Sequence, residues 1–208
     1  MKTMKDCIPD RKGEWMQVSS GGKFFPQDPS PEEVHIRDIA NGLALTCRYG
    51  GQGKINKFYS VAEHSLHMAN YALRKPCSEN YRNLLAFCCL MHDAAEAYTG
   101  DLIRSMKSAV GDSFKLMEDN IQNVILRKYD ILLSYLHMAC DVKELDNRII
   151  VNEKAALFDT SQEWAHDNLE PLGGVEIKCF NPWTAKNRWL DLFFTLKFKV
   201  DDDNRNPS

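Results

Sequence analysis

The segment from Met91 to Leu102, MHDAAEAYTGDL, sets His92 against Asp93 at the end of an apolar run, LLAFCCLM over residues 84–91. Two metal-capable side chains at the edge of a core are costly unless a partner satisfies them. Glu96 follows His92 by four residues and Asp93 by three, on the same helical face one turn later. From there it could hold or activate a water carried by a metal without itself being a ligand. Asp101, just past Thr99-Gly100, falls at the mouth formed by the helix end.

An isolated His-Asp pair is weak evidence, because a satisfied histidine beside a solvated aspartate explains it equally well. Other residues at helical spacing change the balance. His64 lies just after Ser60-Val61-Ala62-Glu63, a capping box that opens a helix. Asp146 and Glu153 lie two turns apart in LDNRIIVNE and share a face with Leu145, Ile149 and Ala156. A face that mixes core residues with two acids is expensive to bury without a cation. Imidazoles from two helices with two carboxylates would suit one first-row divalent ion, leaving positions open for water and a substrate oxygen.

The elements that must position these groups read as helices. Ser30-Pro31-Glu32-Glu33 is a further capping box with proline at the first helical position, ahead of Val34, Ile36, Ile39, Leu43 and Cys47. The spacing predicts helices from Ser60 to about Lys75, from Ser78 to about Tyr98, over LIRSMKS, from Asp112 to Lys128, from Met138 to Phe158 and from Trp183 to Phe198. In the Ser78–Tyr98 helix, His92 and Asp93 stand about 100° apart, so both reach one metal only at a seam between helices. PLGGVEIKCFNP reads as a loop with at most a brief strand. The fold class is all-α: an irregular segment over residues 1–29, one helical domain over 30–198, and a disordered acidic tail over 199–208.

Composition narrows the function. The chain has 208 residues, 44% of them hydrophobic, enough for one sizeable core. A formal net charge of −3 supplies no global field for nucleic acid or anionic lipid. The N-terminus lacks the apolar stretch of a secretory signal, and no run is long enough to span a membrane. Seven cysteines, an odd number with Cys88 and Cys89 adjacent and no CxxC, argue against disulfides and thiolate zinc, and so for a cytoplasmic protein.

FYSVAEHSLHMANYAL, MHDAAEAYTGDLIRSMK and LDNRIIVNE together resemble the HD-domain phosphohydrolases, over roughly Arg48 to Leu157. The likeness is to the bacterial 5′-deoxynucleotidases and to the phage and prophage HD proteins, including phage dATP triphosphohydrolases; FFPQDPSPEEVHIRDIANGLALTCRYGG resembles the phage branch. The resemblance implies an HD-type helical bundle and metal ligation by His64, His92, Asp93 and Asp146. It implies one divalent transition metal (Mn, Co, Ni, Zn or Fe) and a water-activating Glu96. It further implies an Arg48 that contacts phosphate, an Asp101 that disfavours a ribose 2′-hydroxyl, a deoxynucleotide substrate, and a homo-oligomer, in the host cytoplasm if phage-encoded.

Phosphate needs cations. Lys54 and Lys57 in RYGGQGKINKFYS stand beside Arg48 in a glycine-rich turn ahead of a helix N-terminus, which is a plausible anion site, although a solvated loop explains it as well. Lys107, with Arg104 as an outside option, could reach the same mouth. These lysines favour a deoxynucleoside triphosphate cleaved to deoxynucleoside and triphosphate over a 5′-deoxynucleotidase acting on monophosphates. Tyr49, Phe58 and Tyr98 could stack on a purine, as could Trp15 or Phe24 if the N-terminal segment folds over the site. His67 could touch substrate or merely occupy the adjacent face. His35, His137 and His166 read as surface or structural. A different class stays open, a catalytically idle HD fold that binds a nucleotide as a regulatory module; a nucleic-acid-binding role has less support still.

Overall fold

The computed structural model describes residues 11–54, 56–159 and 161–205. The first ten residues of the predicted irregular segment and the last three of the predicted tail lie outside them. Two strands, β1 (Met16–Gln17) and β2 (Lys23–Phe24), precede eight helices: α1 (Ile36–Leu45), α2 (Val61–Ala72), α3 (Glu79–Met91), α4 (Glu96–Thr99), α5 (Arg104–Val110), α6 (Asp112–Lys128), α7 (Leu132–Leu157) and α8 (Pro182–Arg205). The all-α reading holds.

The central element is α3. Every residue from Leu85 to Met91 is buried, because α2, α7 and α8 pack around it. A helix apolar on all sides is stable only in such a position. Trp189 of α8 is fully buried; its Nε1 donates to Ser65 Oγ of α2 at 3.1 Å, which satisfies the one polar atom of the indole. The core is one contiguous cluster of side chains running from Val18 to Val200.

Several boundaries differ from expectation, each for a local reason. The N-terminal segment is not wholly irregular: β1 and β2 pair antiparallel, Met16 opposite Phe24, in strands too short to show alternation. Buried Asp38 of α1 fixes their turn by accepting from Ser19 Oγ, Ser20 N and Ser20 Oγ at 2.6–2.8 Å. The Ser30 box does not cap α1. Residues Pro31–Glu33 form a 3-10 turn, Ser30 bonds Glu32 instead, and the helix starts at Ile36. The Ser60 cap does form, accepting from Glu63 N, and Ser78 caps α3 by accepting from Tyr81 N. Helix α7 starts six residues before Met138, and the stretch PLGGVEIKCFNP carries no strand. The predicted disordered tail is helical as far as Arg205: Lys197 pairs with Asp201 at 2.6 Å, Arg205 Nε donates to Asp201 O, and Val200 is buried.

The most consequential difference lies at the His-Asp pair. The predicted Ser78–Tyr98 helix is interrupted, with α3 ending at Met91 and α4 beginning at Glu96. Between them the amides of Ala94 and Glu96 bond three residues back, to Met91 O and Asp93 O. The Met91 carbonyl and Ala95 amide, which a continuous helix would pair, are both taken by the side chain of Gln122. Helix α4 is pressed close to α1, where a Cβ on Gly42 would lie 2.5 Å from the Ala97 carbonyl oxygen.

Candidate metal centre

His64 enters from the first turn of α2, His92 and Asp93 from the turn after α3, and Asp146 from the middle of α7. Ligand atoms of His64, His92 and Asp146 all lie within 4.8 Å of one another. The two Nε2 atoms are 3.3 Å apart, and Asp93 Oδ2 lies 3.0 Å from His92 Nε2 and 3.7 Å from His64 Nε2. Asp146 Oδ1 is 3.4 Å from His64 Nε2. The residues expected to share a site are therefore brought together by three separate elements.

The opposite ring nitrogens explain why the Nε2 atoms face inward. His64 Nδ1 donates to Glu153 Oε1 at 2.6 Å, and His92 Nδ1 donates to the Cys89 carbonyl at 2.8 Å. Each neutral ring then presents an Nε2 lone pair to the centre. Two lone pairs 3.3 Å apart, flanked by two carboxylates, repel unless a proton or a cation lies between them. The donor set, two imidazoles and two carboxylates, suits a divalent transition metal.

The local charges respond to this crowding. Burial and the Arg48 charge oppose a proton on His64, but Glu153 and Asp146 outweigh them and raise its pKa to about 9. Burial would raise Glu153, yet Arg48 and His64 hold it down to about 2. Asp93 and Asp146, although half-buried, are held well below the usual carboxylate range by His92 and His64. Glu96 behaves in the opposite way. Burial, with Asp93 and Asp101 nearby, pushes it well above the ordinary glutamate value. Its Oε1 accepts from Lys107 Nζ at 3.3 Å, while its buried Oε2 has no partner. A carboxyl with a raised pKa and one unengaged oxygen can take up or hand over a proton.

These groups lie under a cavity of about 750 Å3 lined by Arg48, Tyr49, Asp93, Glu96, Asp101 and Asp146, among others. Arg48 lies against Glu153 (3.4 Å) and Asp93 (3.7 Å). Tyr49 adopts a left-handed backbone, φ 57°, uncommon for a residue other than glycine and asparagine. That turn directs its amide to Asp101 Oδ2 at 3.3 Å, and its hydroxyl donates to Glu153. Lys107 is shared between Glu96 and Glu118.

Other expectations are corrected. Lys54 and Lys57 are exposed and do not line the cavity, because the chain leaves Arg48–Gly51 through a turn that ties Lys54 N to Leu157 O at the C-terminal end of α7. His67 faces away from the cluster; its Nε2 lies 3.2 Å from Glu63, and its ring sits between Tyr59 and Phe180. Phe24 and Tyr98 are not open to a base, since they stack on each other in the core with centroids 3.8 Å apart. Trp15 and Phe58 do not line the cavity either.

The cavity also uses residues that sequence reasoning passed over. Lys143 Nζ lies 2.6 Å from Asp146 Oδ2; Arg104, the outside option named from the sequence, lines the cavity too and reaches His166 Nε2 (3.1 Å) and Asn147 Oδ1 (3.2 Å). Trp164 forms part of the wall, packed on Tyr49 and Phe158. His166, expected to be surface or structural, is half-buried in the same wall. Lys143, three residues before Asp146, was the one legible from helical spacing.

A helical domain with clustered histidines and carboxylates under a cavity lined in part by Arg and Lys is the arrangement of a candidate metal centre. The family pattern described as HD domain matches residues 48–132. The chain is 34% identical to an uncharacterised protein of Rhodobacter capsulatus over 58% of its length, spanning 60% of that protein. It is also 34% identical to the uncharacterised protein YfdR of Escherichia coli K12, over 72% of its own length and 76% of YfdR. The chain belongs to the HD-domain family, whose members bind divalent metals and are in general hydrolases. Among the described residues, no helix is long and apolar enough to cross a membrane.

Proposed function

We propose that this protein is a metal-dependent phosphohydrolase that cleaves the 5′ phosphoester of a deoxynucleotide, releasing the deoxynucleoside. The observation that carries the reading is the convergence of the His64 and His92 Nε2 atoms on Asp93 and Asp146, beside an unengaged Glu96 oxygen at the floor of the cavity. His64, His92, Asp93 and Asp146 would hold the divalent ion. When bound, that ion supplies Lewis acidity toward a phosphoryl oxygen and lowers the pKa of water.

The chain's own groups account for the remaining work. Arg48 offsets phosphoryl charge from the cavity wall. Glu96 takes the proton of the attacking water at Oε2 and can return one to the departing 5′ oxygen, so that water adds to phosphorus as the ester P–O bond breaks. Lys107 holds Glu96 in place through Oε1. Asp101 is anchored by the Tyr49 amide where it can accept from a sugar hydroxyl, which supports a preference for the deoxy sugar.

A triphosphate and a monophosphate would lose the same bond and differ only in what hangs from the α-phosphorus. The triphosphate is favoured by Arg104 and Lys143, which add to Arg48 and Lys107 around one cavity. The monophosphate is favoured by the position of Lys54 and Lys57 outside it. Product analysis separates the two: metal-stripped protein resupplied with Mn2+ or Co2+ is incubated with each dNTP and dNMP. Inorganic triphosphate with free deoxynucleoside supports the first, orthophosphate from dNMPs alone supports the second, and no turnover of either sinks the enzymatic reading and leaves the regulatory module.

A further inference from the structure

Gln122 projects from the middle of α6 into the gap between α3 and α4. Its Nε2 donates to the Met91 carbonyl at 2.7 Å, and its Oε1 accepts from the Ala95 amide at 2.9 Å. These are the two backbone groups that an uninterrupted helix would bond to each other. A primary amide is the side chain suited to the task, because it offers one donor and one acceptor at the spacing of the bond it replaces. Side-chain insertion into the i to i−4 ladder is a recognised cause of a helix break.

The residues between the two bridged groups are His92, Asp93 and Ala94. The bridge therefore clamps both ends of the short turn that carries two of the four converging side chains. With the helix continued through Ala95, successive residues would diverge by about 100° around one axis. In the clamped turn, His92 Nε2 and Asp93 Oδ2 lie 3.0 Å apart and face the same centre. The same clamp sets the start of α4, and with it Glu96.

We infer that Gln122 is a positioning residue for the metal-binding turn: it holds the α3–α4 break open so that His92 and Asp93 present their donors to one ion. This rests on the reading of the site as a metal centre. Gln122 hydrogen-bonds the backbone rather than the converging side chains and does not line the main cavity, and nothing near it in sequence marks it for this role.

The choice of variant matters. A second cavity of about 320 Å3 adjoins Gln122 and is lined in part by His92, Asp93 and Asn123. Alanine would let water from that side reach the same two backbone groups and stand in for the amide. Gln122→Met fills the space and offers neither a comparable donor nor a comparable acceptor. Gln122→Glu keeps the acceptor for Ala95 N and loses the donor to Met91 O.

The experiment is a Co2+ titration of the metal-stripped full chain, unaltered and in both variants, followed by visible absorption, with a thermal melt of each protein beforehand. At a temperature where all are folded, Gln122→Met should bind Co2+ about 10- to 100-fold more weakly, the range found when groups that orient metal ligands are removed. Its Co2+ absorption band should also change shape, and Gln122→Glu should fall between the two. A lowered melting temperature with unchanged Co2+ affinity and band shape would mean the bridge serves folding alone, and the inference falls. If Gln122→Met does not fold, Gln122→Glu decides by the same criterion. Failure of the unaltered protein to bind Co2+ would overturn both this inference and the metal-centre reading, whereas normal binding by the unaltered protein and both variants overturns this one only.

Discussion

Helix α2 carries two histidines one turn apart, each beside a buried glutamate, and the two pairs do different work. His64 donates one nitrogen to Glu153 and turns the other toward His92, Asp93 and Asp146. His67 turns its Nε2 onto Glu63, whose carboxylate already accepts from the amides of Lys178, Cys179 and Phe180 at 2.6–2.8 Å. Glu63 is thus a buried carboxyl group satisfied by three backbone donors, and it seats the loop that leads into α8. Glu153 is satisfied by Arg48, Tyr49 and His64, all of which lead toward the cavity. A histidine–carboxylate pair marks a reactive site only when the second ring nitrogen is left facing other donors.

The sharpest way to break this comparison is to remove each imidazole. His64→Ala should lower turnover by about 10^3-fold or more, the several kcal/mol that a metal's charge contributes to phosphoryl transfer. His67→Ala should leave kcat/KM within about threefold, a difference below 1 kcal/mol, while lowering the melting temperature. Steady-state kinetics and a melt on both variants test this. Equal losses of activity would dissolve the distinction.

The glutamates give the next largest contrast. Glu153→Gln removes the charge that orients His64 and should weaken metal binding by about 10- to 100-fold. Glu63→Gln leaves one loop amide facing an NH2 group and should cost about 1–3 kcal/mol of stability, with metal affinity unchanged. Denaturant unfolding and a metal titration read the two effects separately.

The smallest effect is on pH dependence, and it belongs to the His64 pair. In the metal-free protein the raised His64 pKa adds stability that is fully present below 6.5 and is lost as pH rises through about 9. The depressed Glu153 adds stability present above 4.5 and lost as pH falls through about 2. The urea midpoint of metal-free protein should therefore be highest between about pH 5 and 6.5 and decline on both sides. With metal bound, His64 has no proton to lose, and the alkaline decline should shrink; an unchanged profile would argue that the metal does not use His64.

Much of the site could be read from the chain because its chemistry is carried by rare residue types at helical spacing. His64, His92-Asp93 and Asp146 needed only three helices to meet, and the core runs on α2, α3 and α7 are unambiguous. Helix α6 fell where its pattern predicted, from Asp112 to Lys128. What stayed hidden depends on distant partners. The break after Met91 is invisible locally, since residues 84–98 are helix-forming throughout and the amide that interrupts them comes from Gln122. Lys54 and Lys57 were misleading because closeness to Arg48 in sequence says nothing about which side of a left-handed turn at Tyr49 and Gly50 they leave by. Trp164 and His166 join the cavity from a loop without periodicity. Lys154 Nζ paired to Asp167 at 2.5 Å helps hold that loop in place.

The stacked rings of Phe24 and Tyr98 carry a lesson about boundaries. Tyr98 belongs to α4, the four-residue helix that begins with Glu96, and one face of its ring is covered by a residue of the N-terminal hairpin. The stretch that the HD-domain pattern matches, residues 48–132, includes Tyr98 but leaves out Phe24, and it also stops short of Asp146 and Glu153. A fragment trimmed to that stretch would keep His64, His92 and Asp93 yet lose the ring that backs the helix of Glu96, and Asp146, one of the four candidate ligands. What a family pattern matches and what folding requires are different lengths of the same chain, and anyone grafting or shuffling this domain should cut by the second.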